Sequence, residues 1–278
     1  MNKIFLLIVI ISFFFSACRK EEGCMDPIAT NYNSEEALDN GECNYAPING
    51  CTDSSAINYL AIATINNDSC EYLSLDINFK HYVDGLELVV NEMIYTNSSN
   101  DNYSIQTLRY LISDITLHSN NGEKALLDEV HFIDISIDST LTLSIPQIYY
   151  QNYNSISFTM GLDSIKNITN LFLNENFFPS FVWPEFLGGG YHYMQLEGDF
   201  NTVFNGYTTH TGATNGVDFS FNKTFPIADI TEININMEIT NWYKNPETLN
   251  LTTDGIMGNI DKQIILKANG IEDVFSVN

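Results

Sequence analysis

Residues 188–198 read GGGYHYMQLEG, three glycines running straight into a segment that carries one of the chain's five histidines. Glycines that open a helix make a phosphate cradle, because helix N-termini gather anions on their free N–H groups. Here the residues after Gly190 alternate with a period of two, which is the pattern of a strand. The glycines therefore supply backbone freedom at a strand entry. Working outward, LSLDINFKHY (73–82), LELVVNEMIY (86–95), LRYLISDITL (108–117) and EVHFIDISI (129–137) alternate in the same way or are β-branched and aromatic. LTLSIP (141–146), SISFTMGL (155–162), VDFSFNK (217–223) and TEININMEI (231–239) continue the series. Asn, Asp, Gly and Ser clusters separate them. The expected fold is all-β, an antiparallel β-sandwich over residues 73–278. Only the end departs. Ile260, Ile264, Ile265 and Ala268 recur at helical spacing and Gly270 reads as a stop, which predicts one short C-terminal helix.

Ahead of the sandwich lies a duplication. GCMDPIATNYNSEEALDNGECNY (23–45) and GCTDSSAINYLAIATINNDSCEY (50–72) share Gly, Cys, Asp, Ala, Asn-Tyr, Asn, Cys and Tyr at a constant offset of 27. Residues 23–72 are thus expected to form a small module of two repeats. The simplest pairing is Cys24–Cys43 and Cys51–Cys70, although four cysteines allow three connectivities. Apart from Cys18 these are all the cysteines in the chain, a pattern suited to disulfides in an oxidising compartment. Asp26, Asn31, Asn33, Asp39 and Glu42, with Asp53, Asn58 and Asp68 in the second copy, offer hard oxygen ligands, so calcium is a candidate. The regular D-x-D-x-D-G loop is missing, and a disulfide-stapled spacer is the first expectation. The pattern resembles a short Cys-rich repeat of secreted Bacteroidota proteins.

The N-terminus sets the compartment. MNK, then the apolar IFLLIVIISFFF (4–15), then SAC (16–18), have the layout of a secretory signal and are too short to span a bilayer comfortably. The cysteine resembles a bacterial lipobox. This predicts a lipoprotein signal peptide at 1–17, lipidation of Cys18 and a lipidated tether at 18–22. RKEE (19–22) resembles the surface-export signal of Bacteroidota lipoproteins, which implies an outer-membrane anchor, either surface-exposed or facing the periplasm. A net charge of −24 repels nucleic acid, so none is expected as a partner.

Strand alternation assigns the histidines to faces. His81 shares a face with Leu75, Ile77 and Phe79. His131 shares one with Ile133, Ile135 and Ile137. His192 shares one with Met194 and Leu196, opposite Tyr191, Tyr193, Gln195 and Glu197. His118 falls on a polar face next to a turn and is expected to be exposed. His210, in TTHTG, lies in a loop or strand end that closes over the others. Each inward histidine has a structural reading, a hydrogen-bonded core residue. Three of them from different strands favour a metal instead, because neutral imidazole is a common ligand for copper and zinc. No G-x-S-x-G, P-loop or H-E-x-x-H occurs, and the strand region holds no cysteine nucleophile, so no enzyme is expected.

INFKHYVDGLELVVNEMIYTN, YSIQTLRYLISDITL, HFIDI, ISFTMGLDS, FVWPEFLGGGYHYMQLEG, TTHTG and NWYKNPETLNLTTDGIMGN occur in an order that resembles the MbnP-like proteins, the methanobactin-associated copper-binding family. The resemblance covers about residues 74–278. It implies a β-sandwich that binds copper through histidines in the cell envelope, with His81, His192 and His210 at matching positions and His131 a further candidate. It also implies that a tryptophan, Trp183 or Trp242, is oxidised to kynurenine by a dihaem peroxidase-like partner. An outer-membrane receptor is the other partner expected. The expected function is copper acquisition, storage or delivery by an envelope lipoprotein. The alternative is a non-metal adhesion or interaction lipoprotein with structural histidines.

Overall fold

The computed structural model describes residues 22–35, 38–149, 152–200, 206–228, 230–250 and 255–278; the expected signal peptide and Cys18 lie outside them. The chain divides into two units. One comprises the described residues up to Ser54 together with Asn58–Cys70, and the other Ser55–Ile57 with Glu71–Asn278.

In the first unit the duplication is structural. Disulfides join Cys24 to Cys43 and Cys51 to Cys70. Each copy has a two-residue parallel pairing, Glu22–Gly23 with Leu38–Asp39 and Asn49–Gly50 with Ile65–Asn66. The same amide closes both copies: Asn31 donates to the Glu42 carbonyl and Asn58 to that of Ser69, each at 2.7 Å. The oxygens considered for calcium serve the turns. Asp26 accepts from Ile28 N and the Tyr45 hydroxyl, and Asp39 from Gly41 N.

The second unit is a sandwich. Its strands are β1 (Leu73–Val83), β2 (Thr107–Ser119), β3 (Lys124–Asp134), β4 (Thr142–Ile148), β5 (Tyr153–Met160), β6 (His192–Asp199), β7 (Gly206–Gly212), β8 (Phe221–Pro226), β9 (Glu232–Glu238) and β10 (Phe275–Val277), with helix α1 (Ile260–Asn269) before β10. One sheet runs β7–β6–β2–β5–β8, with β3 on the other edge of β2. β2 is long enough to pair β6 along its first part and β5 along the rest. The second sheet runs β4–β1–β9–β10. β1 and β9 pair in parallel, unlike the antiparallel partners expected throughout. The two lie far apart in sequence, and a parallel pair needs such a long crossover.

Leu75, Ile77 and Phe79 of β1 face Ile112, Ile156, Phe158 and Leu196 of the first sheet in one core. Full burial of a Leu or Ile side chain contributes about 1.5–3 kcal/mol, and Leu75 and Ile77 have no exposed surface. A second, smaller core lies on the outer face of the first sheet. There Leu111 of β2 packs with Phe177, Phe181 and Tyr191 of the segment 161–191, which joins β5 to β6 through turns.

Two expectations are corrected locally. LELVVNEMIY is not one strand: only Leu86–Glu87 and Tyr95–Thr96 pair, and Asn91 at φ 66° breaks the extension between them. In α1 the buried side chains are Gln263, Leu266 and Asn269, while Ile264 is exposed. Gly270 does not stop the helix by a left-handed turn. Its φ is −61°, and a Cβ there would lie 2.5 Å from the rings of Phe221 and Trp242, so close packing selects glycine.

Candidate functional site

The site forms where β6 begins. The pairing of β6 with β7 slips between His192 and Met194, so that two steps on β6 match one on β7. Such a bulge interrupts the alternation of faces. Met194 and Leu196 still enter the main core. His192 does not join them, contrary to the strict alternation. It packs among Phe181, Trp183 and His210, with ring centroids 5.4, 4.8 and 5.1 Å away. His210 is the cross-strand partner of Gln195, which puts it on the face opposite Leu196. The two histidines therefore meet on the outer face of the sheet, under the segment 161–191.

The glycine run makes this possible. Gly188, Gly189 and Gly190 all have positive φ, at 124°, 70° and 87°, where only glycine is unstrained. They turn the chain back so that Trp183 N donates to Gly190 O and Val182 bridges Tyr191. Asn167 and Thr169 side chains accept from Tyr191 N and Gly190 N and fix the turn. Trp183 then lies fully buried against Gly212, where a Cβ would stand 2.7 Å from the indole.

The protonation pattern follows from the partners. His192 Nδ1 lies 3.2 Å from the Phe181 carbonyl, which only accepts, so Nδ1 carries the hydrogen. That leaves Nε2 as a bare lone pair, buried and without a hydrogen-bond partner. Burial, with the neighbouring His210 charge as a smaller cause, pushes His192 down to about 4, so it is neutral at pH 7. His210 Nε2 is 2.7 Å from Glu197 Oε1. The carboxylate only accepts, so Nε2 donates to it and Nδ1 is the nitrogen left over for a ligand role. An imidazole whose second nitrogen is anchored on a carbonyl or carboxylate is the usual form of a metal-ligating histidine. A buried lone pair on an imidazole packed against a second one suits a borderline metal such as copper. The indole Nε1 of Trp183 is the other buried polar atom without a partner here.

An MbnP family model matches residues 72–264. The chain belongs to the MbnP family. Among solved structures, MbnP from Methylosinus trichosporium aligns with a TM-score of 0.54 and 11% identity, covering 75% of this chain and 99% of that one. At that identity the likeness shows a shared fold. No curated protein matches the chain.

The other histidines of the MbnP domain are held elsewhere. His81 Nε2 is 2.9 Å from the Tyr110 hydroxyl. Tyr110 is the cross-strand partner of Met194, so His81 lies on the core side of the sheet and the His192–His210 pair on the other. His131 stacks on Phe79 at 4.9 Å and donates from Nε2 to Thr140 O, which braces a turn. His118 is half-buried rather than exposed, 2.6 Å from Ser157 Oγ. Among the described residues no group of three or more His, Cys, Asp and Glu is placed to hold a metal ion. The four candidate histidines thus split into one pair and two single residues. Reading the sequence missed Glu197, whose i, i+5 spacing from His192 carries no signal within one strand.

Proposed function

We propose that the chain is an envelope lipoprotein that binds a copper ion at His192 and His210, as cargo to be acquired, stored or delivered. The observation that carries this is the buried, unpartnered Nε2 of His192 on a ring that packs edge-on against a second anchored imidazole, centroids 5.1 Å apart. Membership of the MbnP family supports copper as the ion. His192 would give Nε2 and His210 Nδ1, while Phe181 O and Glu197 hold the opposite nitrogens. Two imidazoles leave coordination positions open, which suits an ion that is handed on rather than locked away. Trp183, not Trp242, is the indole at this site. Trp242 packs in the main core against Phe221 and Phe275. Trp183 is therefore the residue whose oxidation by a dihaem partner would alter the site, and the mass of the peptide containing it tests that point.

The test is a copper titration of the full chain. Wild type is expected to bind one ion, and His192→Ala and His210→Ala each to weaken binding at least about tenfold. His81→Gln should bind as wild type. Undiminished affinity in His192→Ala would refute the site. Anchoring is tested separately, since Cys18→Ala should release the protein from the membrane fraction. The exposed apolar side chains of Ile165, Leu173 and Phe186 on the segment over the site favour a second reading, an interaction module. In that case no variant changes copper uptake and Phe186→Ser abolishes partner binding.

A further inference from the structure

His81 opens on a cavity of its own. A cleft of about 390 Å³ runs along β1; its apolar wall is Phe79, Leu88, Val90, Ile135 and Leu141, with His81 among them and Asn78, Lys80, Tyr82, Glu87 and Thr142 around the rest of the opening. That volume lies within the range of small-molecule sites, and the lining joins an apolar wall to a polar margin, with His81 the one polar lining residue that is buried. Its lip is a built structure. Leu88 N donates to His81 O at 2.9 Å, and the Tyr95 hydroxyl both accepts from Val89 N and donates to Val89 O. At the hairpin below, Asp84 N and Gly85 N both donate to the Glu238 carboxylate.

His81 is the buried polar group of this cleft, only 7% exposed. Tyr110 is completely buried, and its hydroxyl hydrogen has one acceptor among the described residues, His81 Nε2. A buried O–H left without an acceptor costs about 1–3 kcal/mol, so Tyr110 donates and the imidazole hydrogen sits on Nδ1. Nδ1 has no hydrogen bond to a described residue and is not sealed away, and His81 lines the cleft. The cleft therefore offers the Nδ1–H of His81 as a buried donor beside its apolar wall. The strongly negative surface of the chain disfavours anions as occupants.

We propose that this cleft binds an uncharged, largely apolar small molecule with a carbonyl-type acceptor, which takes the Nδ1–H of His81. The site is distinct from the His192–His210 pair, on the other side of the same sheet. The probe is prodan, an uncharged naphthyl ketone whose emission responds to hydrogen bonding at its carbonyl; the control is dimethylaminonaphthalene, which lacks the ketone. The full wild-type chain should bind one prodan saturably. Val90→Trp, a change at the half-exposed lip that leaves the core alone, should weaken binding at least tenfold. His81→Phe should weaken prodan about fivefold, the worth of one hydrogen bond, and leave the control unchanged. His192→Ala should bind prodan as wild type does. Absence of saturable binding to wild type, or full affinity in Val90→Trp, would overturn the site. An equal loss of prodan and control in His81→Phe would overturn the donor role of His81.

Discussion

His81 makes the sandwich acid-sensitive by an amount that the structure sets. Burial holds the folded-state pKa at about 4, against an ordinary value of 6.5. The folded chain keeps this imidazole neutral, whereas the unfolded chain takes up a proton as pH falls below 6.5. The unfolded state binds more protons between those two values, so stability falls with pH across that window and the loss is complete below about pH 4. The neutral side chain's full contribution is present above pH 6.5. At one pK unit per 1.36 kcal/mol, the loss attributable to His81 between pH 7.5 and pH 5 is about 2 kcal/mol. Carboxylates and His192 titrate in the same range, so the quantity to measure is a difference between two proteins. His81→Gln retains an acceptor for the Tyr110 hydroxyl and cannot titrate. Its absolute stability does not matter; its pH dependence does. Urea unfolding of metal-free protein, followed by tryptophan emission, reads the sandwich alone, because Trp183 and Trp242 are the only two tryptophans. Between pH 7.5 and pH 5, His81→Gln should lose about 2 kcal/mol less than wild type. Equal losses in the two proteins would show that His81 is not held neutral by the core, and the argument from burial would fail.

Three further outcomes are expected. Glu197→Ala removes the carboxylate that anchors His210 and should lower copper affinity about 10–100-fold with little change in thermal stability, checked by titration and melting. Gly212→Ala sets a methyl group against the Trp183 indole and should cost about 1–3 kcal/mol in urea unfolding, with a shifted tryptophan emission maximum. Reduction of Cys24–Cys43 and Cys51–Cys70 removes about 3 kcal/mol from each repeat, so limited proteolysis should cut before residue 71 while sandwich fluorescence stays constant.

The sandwich was legible because its strands obey a local rule. In LDINFKH the alternation alone places Leu75, Ile77, Phe79 and His81 inward, and all four are buried. The same rule failed at His192, where a mismatch in spacing against β7 reverses the face. That mismatch involves two strands, and no periodicity within one of them reports it. LELVVNEMIY failed for a related reason, since the Tyr95 hydroxyl and a left-handed Asn91 fold it into a lip. Face assignments also carry no information on position along a strand. Three inward histidines suggested convergence, yet His81 and His131 found separate partners in Tyr110 and Thr140. The glycines at 188–190 were read as a strand entry, but nothing marked the segment 161–191 as a cover, because its aromatic residues follow no regular period.

The slip at His192 has an evolutionary corollary. A sheet ordinarily ties the identity of each residue to the layer it serves, so a new polar group is paid for with a hole in the interior. One extra residue in β6 uncouples the two. Met194 and Leu196 go on filling the same space whether residue 192 is a ligand or not. Lineages carrying this sandwich are thus free to gain, lose or exchange the outer pair without redesigning what lies beneath. The comparison to make among relatives is therefore the length of the segment between the glycine run and Met194, ahead of the presence of the histidine. A relative one residue shorter there would turn the same imidazole into the interior, and its histidine would mark packing instead of metal.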